Sequence, residues 1–157
     1  GGVRRCDSVL LALASLQSRA AAGDWVLVHD AARACLSGAD LERLLAAGAA
    51  DPVGALLATP ISDTIKQAGE TLGSERTLDR STLWRALTPQ MFRFGPLLAA
   101  LHSAQVAGRA PTDEAQALEW QGALPQLVAA LDNNLKITNR EDLVLAAAIC
   151  SARARHP

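Results

Sequence analysis

The chain has 157 residues, half of them hydrophobic, which is enough for one α/β domain with a real core. A net charge of −1 offers no general pull toward nucleic acid or a membrane surface, so any phosphate site has to be local. No apolar run reaches the length of a membrane span, and Cys6, Cys35 and Cys150, spaced far apart, read as reduced thiols of a cytoplasmic protein with no metal ligands.

Gly1-Gly2 opens the chain, and a Gly pair lets backbone approach a ligand closely. Asp7 or Ser8 then caps a helix whose apolar stripe, at positions 9, 10, 13 and 16, extends to about Ala22. Trp25 to Val28 is an unbroken apolar run, and Asp30 arrives just past its end. That pattern predicts a parallel strand buried on both faces, with Asp30 and Arg33 at its carboxyl end, where open α/β sheets place their ligand crevice. The competing reading makes Asp30 only a cap for the next helix.

Ser37 to Asp40 begins a helix with Leu41, Leu44 and Leu45 on one face, and Ala55 to Thr59 reads as a central strand closed by Pro60. From Ile61 to Arg80 the composition turns polar. Two weak strands, about 63–67 and 76–79, form a hairpin that cannot bury itself and needs a partner. Leu83 to Gln90 combines a large aromatic, Trp84, with Pro89 and reads as packing. Pro96 is expected at the first position of a helix carrying Leu97, Leu98, Leu101 and Val106, with Gly108 past its end.

Thr112 to Ala115 caps a further helix, and the helix dipole is reason enough for both of its acids, Asp113 and Glu114. A last strand covers 126–131, Lys136 falls in the following turn, and Thr138 with Glu141 forms a capping box for a terminal helix. The tail 152–157 reads as frayed.

Six segments in this order carry a resemblance: His29-Asp-Ala-Ala-Arg33, Asp63-Thr64-Ile-Lys66, Asp79-Arg80, Leu83-Trp84-Arg-Ala-Leu-Thr-Pro-Gln90, Thr112-Asp-Glu-Ala115 and Asn134-Leu-Lys136-Ile-Thr138. From Gly1 to about Ala148 the chain resembles the 2-C-methyl-D-erythritol 4-phosphate cytidylyltransferases of non-mevalonate isoprenoid synthesis. The resemblance implies a Rossmann-like nucleotidyltransferase sheet with flanking helices and a protruding β-arm. It also implies one catalytic domain over 1–157, with 61–80 as a dimerisation arm.

The activity implied is cytidylyl transfer from CTP to methylerythritol phosphate. Lys136 and Asp30 take the catalytic roles, and Arg33, Thr64, Arg80 and Thr112 bind the polyol phosphate, Thr64 and Arg80 reaching it in the second subunit of a homodimer. Gly2, Ser8 and Ala31 meet the nucleotide, and Mg²⁺ is held mainly by the CTP phosphates, with no protein ligands assigned. No nucleic acid or membrane partner is implied.

The chain departs from the family's pattern at Ala34, where Pro is usual, and at Ser62 and Gln67, where Arg is more frequent. The family's Gly-rich loop, with its Arg and Lys, is not found in these residues, and the chain starts without an initiator Met. The expectation is therefore the C-terminal two thirds of the enzyme, its N-terminal part missing, with little activity in this form. Two alternatives stand beside it: a cytidylyltransferase for another polyol phosphate such as ribitol 5-phosphate, or a non-catalytic dimerising fragment. Asp63-Thr64 with Asp79-Arg80 favours methylerythritol.

Overall fold

Ala55 to Ala58 are all buried, and their side chains alternate: Leu56 joins one apolar cluster, Ala55 and Leu57 another. A strand with two apolar faces needs cover on both, and the chain provides it with helices on either side of a sheet. In the computed structural model, which describes residues 1–155, the order is α1 (Arg5–Leu16), β1 (Trp25–Val28), α2 (Gly38–Ala50), β2 (Gly54–Pro60), β3 (Ile65–Ala68), β4 (Ser74–Leu78), β5 (Trp84–Arg93), α3 (Phe94–Val106), α4 (Glu114–Glu119), β6 (Gln126–Ala129) and α5 (Arg140–Arg155). This is the expected α/β architecture with flanking helices.

The main sheet runs β1-β5-β2-β6, while β3 and β4 form a two-stranded sheet of their own. β5 is antiparallel to both β1 and β2, and β6 is parallel to β2. It follows that β1, β2 and β6 all point the same way. Their carboxyl ends, and the amino-terminal half of β5, share one edge of the sheet. α1, α3 and α4 cover one face around Leu13, Phe92, Leu97 and Leu118, and α2 covers the other around Leu44, Leu57 and Met91. Gly54 enters β2 at φ +117°, where a Cβ would lie 2.1 Å from the Met91 carbonyl oxygen, so only glycine fits.

Several expectations need correction. β1 is an antiparallel edge strand among the described residues, and Leu27 is 38% exposed, so the run is not buried on both faces. An apolar run shows that a strand is half or wholly covered but does not give the direction of its neighbour. Leu83 to Gln90 turns out to be most of a central strand, which Pro89 disguised, because proline is usually confined to strand edges. Within it Trp84 is 37% exposed, and the packing is done by Leu87, Thr88 and Gln90 instead.

Helix ends shift too. α1 spans Arg5–Leu16, starting before Asp7 and stopping short of Ala22, and Asp7 caps it from inside by accepting from the Arg4 backbone N–H at 3.0 Å. α3 starts at Phe94, which puts Pro96 at its third position, where no intrahelical donor is yet required. Its other end is as expected: Gly108 has φ +67°, and the Gly108 and Arg109 N–H groups bond back to Gln105 and Ala104. The α5 box uses Asn139 and Asp142, whose side chains accept from each other's backbone N–H at 2.8 and 3.2 Å, rather than Thr138 and Glu141. Helix continues to Arg155, so 152–155 are not frayed, and 156–157 lie outside the described residues.

Candidate functional site

β1 and β6 occupy opposite edges of a four-stranded sheet, which separates them by about 14 Å at the usual strand spacing. For Lys136 to meet Asp30, the loop after β6 has to cross the carboxyl edge of the sheet, and named hydrogen bonds mark its path. Asn134 Nδ2 donates to the Thr88 carbonyl on β5 at 2.6 Å, the Asn134 carbonyl accepts from Arg33 Nη1 at 2.7 Å, and Ile137 N donates to the Ala32 carbonyl at 2.8 Å. Its start is fixed by Asp40, buried in the first turn of α2, which accepts from Leu131 N at 2.8 Å and Asp132 N at 3.4 Å.

The loop after β1 is held as tightly. Asp30 N donates to Thr88 Oγ1 at 2.9 Å, and Arg33 N closes a turn on the Asp30 carbonyl at 2.9 Å. Thr88 Oγ1 is 3.0 Å from His29 Nδ1, and His29 Nε2 is 3.1 Å from the Arg33 carbonyl. A Thr88 hydroxyl that donates to Nδ1 leaves the proton on Nε2, which then donates to Arg33, so all contacts are satisfied by one tautomer.

Asp30 is the hub of the charges. Its Oδ1 accepts from Arg5 Nε at 2.8 Å; its Oδ2 lies 3.2 Å from Lys136 Nζ and 3.8 Å from Arg33 Nε. Burial works to raise the carboxyl pKa, but Arg5 and Lys136 outweigh it and hold Asp30 below the usual aspartate value. Arg5 in turn places Nη1 and Nη2 at 2.7 and 3.0 Å from the two oxygens of Glu114, which is fully buried. Burial opposes the charge on Arg5, yet the two carboxylates raise its pKa above the ordinary guanidinium value. Burial also pushes the Glu114 carboxyl up, and the two bonds from Arg5 pull against that.

Glu114 corrects the sequence reading, in which the dipole of α4 was a sufficient account of it. Asp113 does cap α4, accepting from Gln116 N at 2.9 Å, but Glu114 points away from solvent to bind Arg5. Arg5 was missed as well. The available signal was an arginine and an acid, each near a helix start. Nothing in the spacing of residues 5 and 114 pairs them.

A groove of about 520 Å³ opens beside this cluster, lined on its polar side by Arg5, Ser8, Asp30, Ala31 and Lys136 and on its apolar side by α1 and β1. Of the residues assigned from the sequence, Ser8, Asp30, Ala31 and Lys136 therefore come together. Gly2 joins them indirectly: its N–H donates to Ser8 Oγ at 2.8 Å, and a Cβ there would lie 2.3 Å from that of Asp7. Arg33 sits behind Asp30 with Nε buried and no hydrogen-bond partner, and burial first, then the like charges of Arg85 and Arg5, lower its pKa.

Thr112 is exposed on the loop into α4, bonded to Gln116 Oε1 through its N–H at 2.8 Å, on the flank of the cluster and outside the groove lining. Thr64 and Arg80 are exposed at the root of the β3–β4 arm, and neither lines the groove of their own chain. The arm's polar side chains bond to each other, Lys66 Nζ to Thr77 Oγ1 at 2.6 Å and Arg76 Nε to Gln67 Oε1 at 2.8 Å. Among the described residues no group of three His, Cys, Asp or Glu side chains could hold a metal ion, and no helix is long and apolar enough to cross a membrane.

Comparison with known proteins adds a family to this geometry. The family profile for 2-C-methyl-D-erythritol 4-phosphate cytidylyltransferase matches residues 1–152. The chain is similar to proteins of that name from Acidithiobacillus ferrooxidans, 54% identical over 98% of this chain, and Pseudomonas aeruginosa, 56% identical over 92%. It spans 65% and 62% of the length of those two relatives. Among solved structures it is similar to a 4-diphosphocytidyl-2C-methyl-D-erythritol synthase, with a TM-score of 0.85 and 39% identity over 96% of this chain and 69% of that one. The Thermus thermophilus cytidylyltransferase gives a TM-score of 0.82 at 32% identity, covering 96% of this chain and 71% of that one.

Proposed function

The chain belongs to the 2-C-methyl-D-erythritol 4-phosphate cytidylyltransferase family, and from that premise we propose that the protein transfers a cytidylyl group from CTP to 2-C-methyl-D-erythritol 4-phosphate. The products are 4-diphosphocytidyl-2-C-methyl-D-erythritol and pyrophosphate. A phosphate monoester oxygen attacks the α-phosphorus, and being already anionic it needs no general base. What it needs is cationic charge and in-line alignment to bring one anion against another.

The observation that carries this reading is the Asp30 hub, where three cations, Arg5, Arg33 and Lys136, converge on one carboxylate at the wall of a groove. Lys136, 44% exposed at its side chain, is the cation free to move onto an α-phosphate oxygen. Asp30 keeps its charge by its lowered pKa and accepts polyol hydroxyls. The buried Nε of Arg33, 3.8 Å from Asp30 and without a hydrogen-bond partner, favours an incoming oxygen in that place. Ser8, Ala31 and the Gly2 turn line the nucleotide side.

A divalent cation, Mg²⁺ by its fit to triphosphates, belongs to the phosphate oxygens in this proposal. The carboxylates at the groove do not form a cage for it, since Asp30 and Glu114 are taken up by Arg5 and Lys136. Thr64, Arg80 and the arm are assigned to the site of a second copy in a homodimer. The self-contained two-stranded sheet supports that assignment, because such a hairpin is marginal without a partner.

The test is release of pyrophosphate from CTP by the intact protein, with methylerythritol phosphate and ribitol 5-phosphate compared. Turnover is expected with the first substrate and at most a trace with the second. Preference for ribitol 5-phosphate, or no release with either, overturns the reading.

A further inference from the structure

Glu114 costs more to bury than its helix end returns. A carboxylate in the first turn of α4 would gain from the dipole while exposed, yet this one is fully buried, and desolvation of a charge exceeds the gain from a helix terminus. Gln90 of β5 holds both chain neighbours of Glu114: Gln90 Nε2 donates to the Asp113 carboxylate Oδ2 at 2.9 Å, and Gln90 Oε1 accepts from Ala115 N at 2.9 Å. The buried amide of β5 thus fixes the helix start from which the carboxylate projects. That carboxylate points at the fork of Arg5, the first residue of α1.

We propose that Glu114 is a positioning residue for the transfer reaction: by gripping both Nη atoms of Arg5 it commits the remaining Nε to Asp30 and fixes the carboxylate that faces the groove. The proposal rests on the cytidylyltransferase reading. Arg5 is one-third exposed and, bound to Asp30 alone, is free to rotate toward solvent. Held by Glu114, it occupies Asp30 Oδ1 and leaves Oδ2 for Lys136 and for an incoming hydroxyl. Only a guanidinium has donors in the geometry to serve both acids, so the role excludes lysine.

The experiment is a double-mutant cycle in the intact protein. Glu114→Gln is expected to lower kcat/KM for the polyol phosphate about tenfold with KM for CTP within about twofold, and to add almost nothing on an Asp30→Asn background. An equal loss on both backgrounds, or wild-type turnover, overturns the proposal. If Glu114→Gln does not fold, Glu114→Asp, which shortens the reach to Arg5 and keeps the charge, takes its place in the same cycle with the same expected coupling. The grip is also read without turnover. Separate ¹⁵Nη resonances for Arg5 in the wild-type protein mark hindered rotation, and averaged ones there would overturn the grip. A wild-type protein with separate resonances and no transfer activity would sink the functional reading alone.

Discussion

The Asp30 cluster and the β3–β4 arm are assigned to one kind of pocket, yet they are built in opposite ways. Around Asp30, loops from β1 and β6 are cross-bonded over the sheet edge, and each carboxylate oxygen has a cation within reach. Along the arm almost every side chain is exposed, and Lys66 and Arg76 bond across the hairpin to Thr77 and Gln67. The first region can hold its geometry within one chain. The second is a two-stranded hairpin with little burial, a form that is marginal on its own.

The largest effect is expected from breaking the dense side. Lys136→Ala in the intact protein should lower kcat by about two to three orders of magnitude, as loss of an oriented charge at a transition state commonly does. Thermal unfolding should hardly change, because the Lys136 side chain is nearly half exposed. Near-normal turnover would remove the residue from the mechanism.

Subunit mixing tests the sparse side. Asp30→Asn and Arg80→Ala place their lesions in different composite sites if the arm crosses between subunits. An exchanged mixture of the two inactive homodimers should then recover about a quarter of wild-type activity. Heterodimers proven by mass, with no recovery, would mean that each pocket is made within one chain.

The smallest effect concerns pH and sharpens the contrast. Asp30 has a folded pKa below its ordinary value, so the stability it contributes is present above the unfolded value of about 3.9 and is lost as pH falls through the folded one. Glu114, raised by burial, has the opposite sign and loses stability as pH rises through the carboxylate range. The Tm gap between wild type and Asp30→Asn should therefore close as the pH drops below about 4. A gap of constant size would show that Asp30 is not charged by its partners.

Much of this was legible in the sequence because local rules govern it. The β2 strand, the arm, the Ser37 cap of α2 and the Gly108 stop all follow from apolar runs and turn residues, and the structure has them where they were expected. Asp30 was marked by its place after an apolar run, but that Lys136 would meet it came only through a resemblance, since no periodicity links residues so far apart in the chain. What stayed hidden was non-local. β5 was masked by Pro89, and the Arg5–Glu114 pair joins two helix starts through a packing arrangement that only the assembled sheet defines. Burial of Glu114 could not be read from a segment in which capping already explained the acid.

The bonds Ile137 N to the Ala32 carbonyl and Arg33 Nη1 to the Asn134 carbonyl were described as a path for one loop, but they also join two loops from opposite edges of the sheet. Displacing either loop breaks both of the bonds that hold it to the other. Local unfolding in proteins proceeds in cooperative units, so the amide hydrogens of Arg33 and Ile137 are expected to exchange with matching opening free energies in native-state hydrogen exchange, and clearly different values would show that the two loops open separately. The same bonds tie the placement of Asp30 to that of the loop that carries Lys136, while the exposed Lys136 side chain stays free to move.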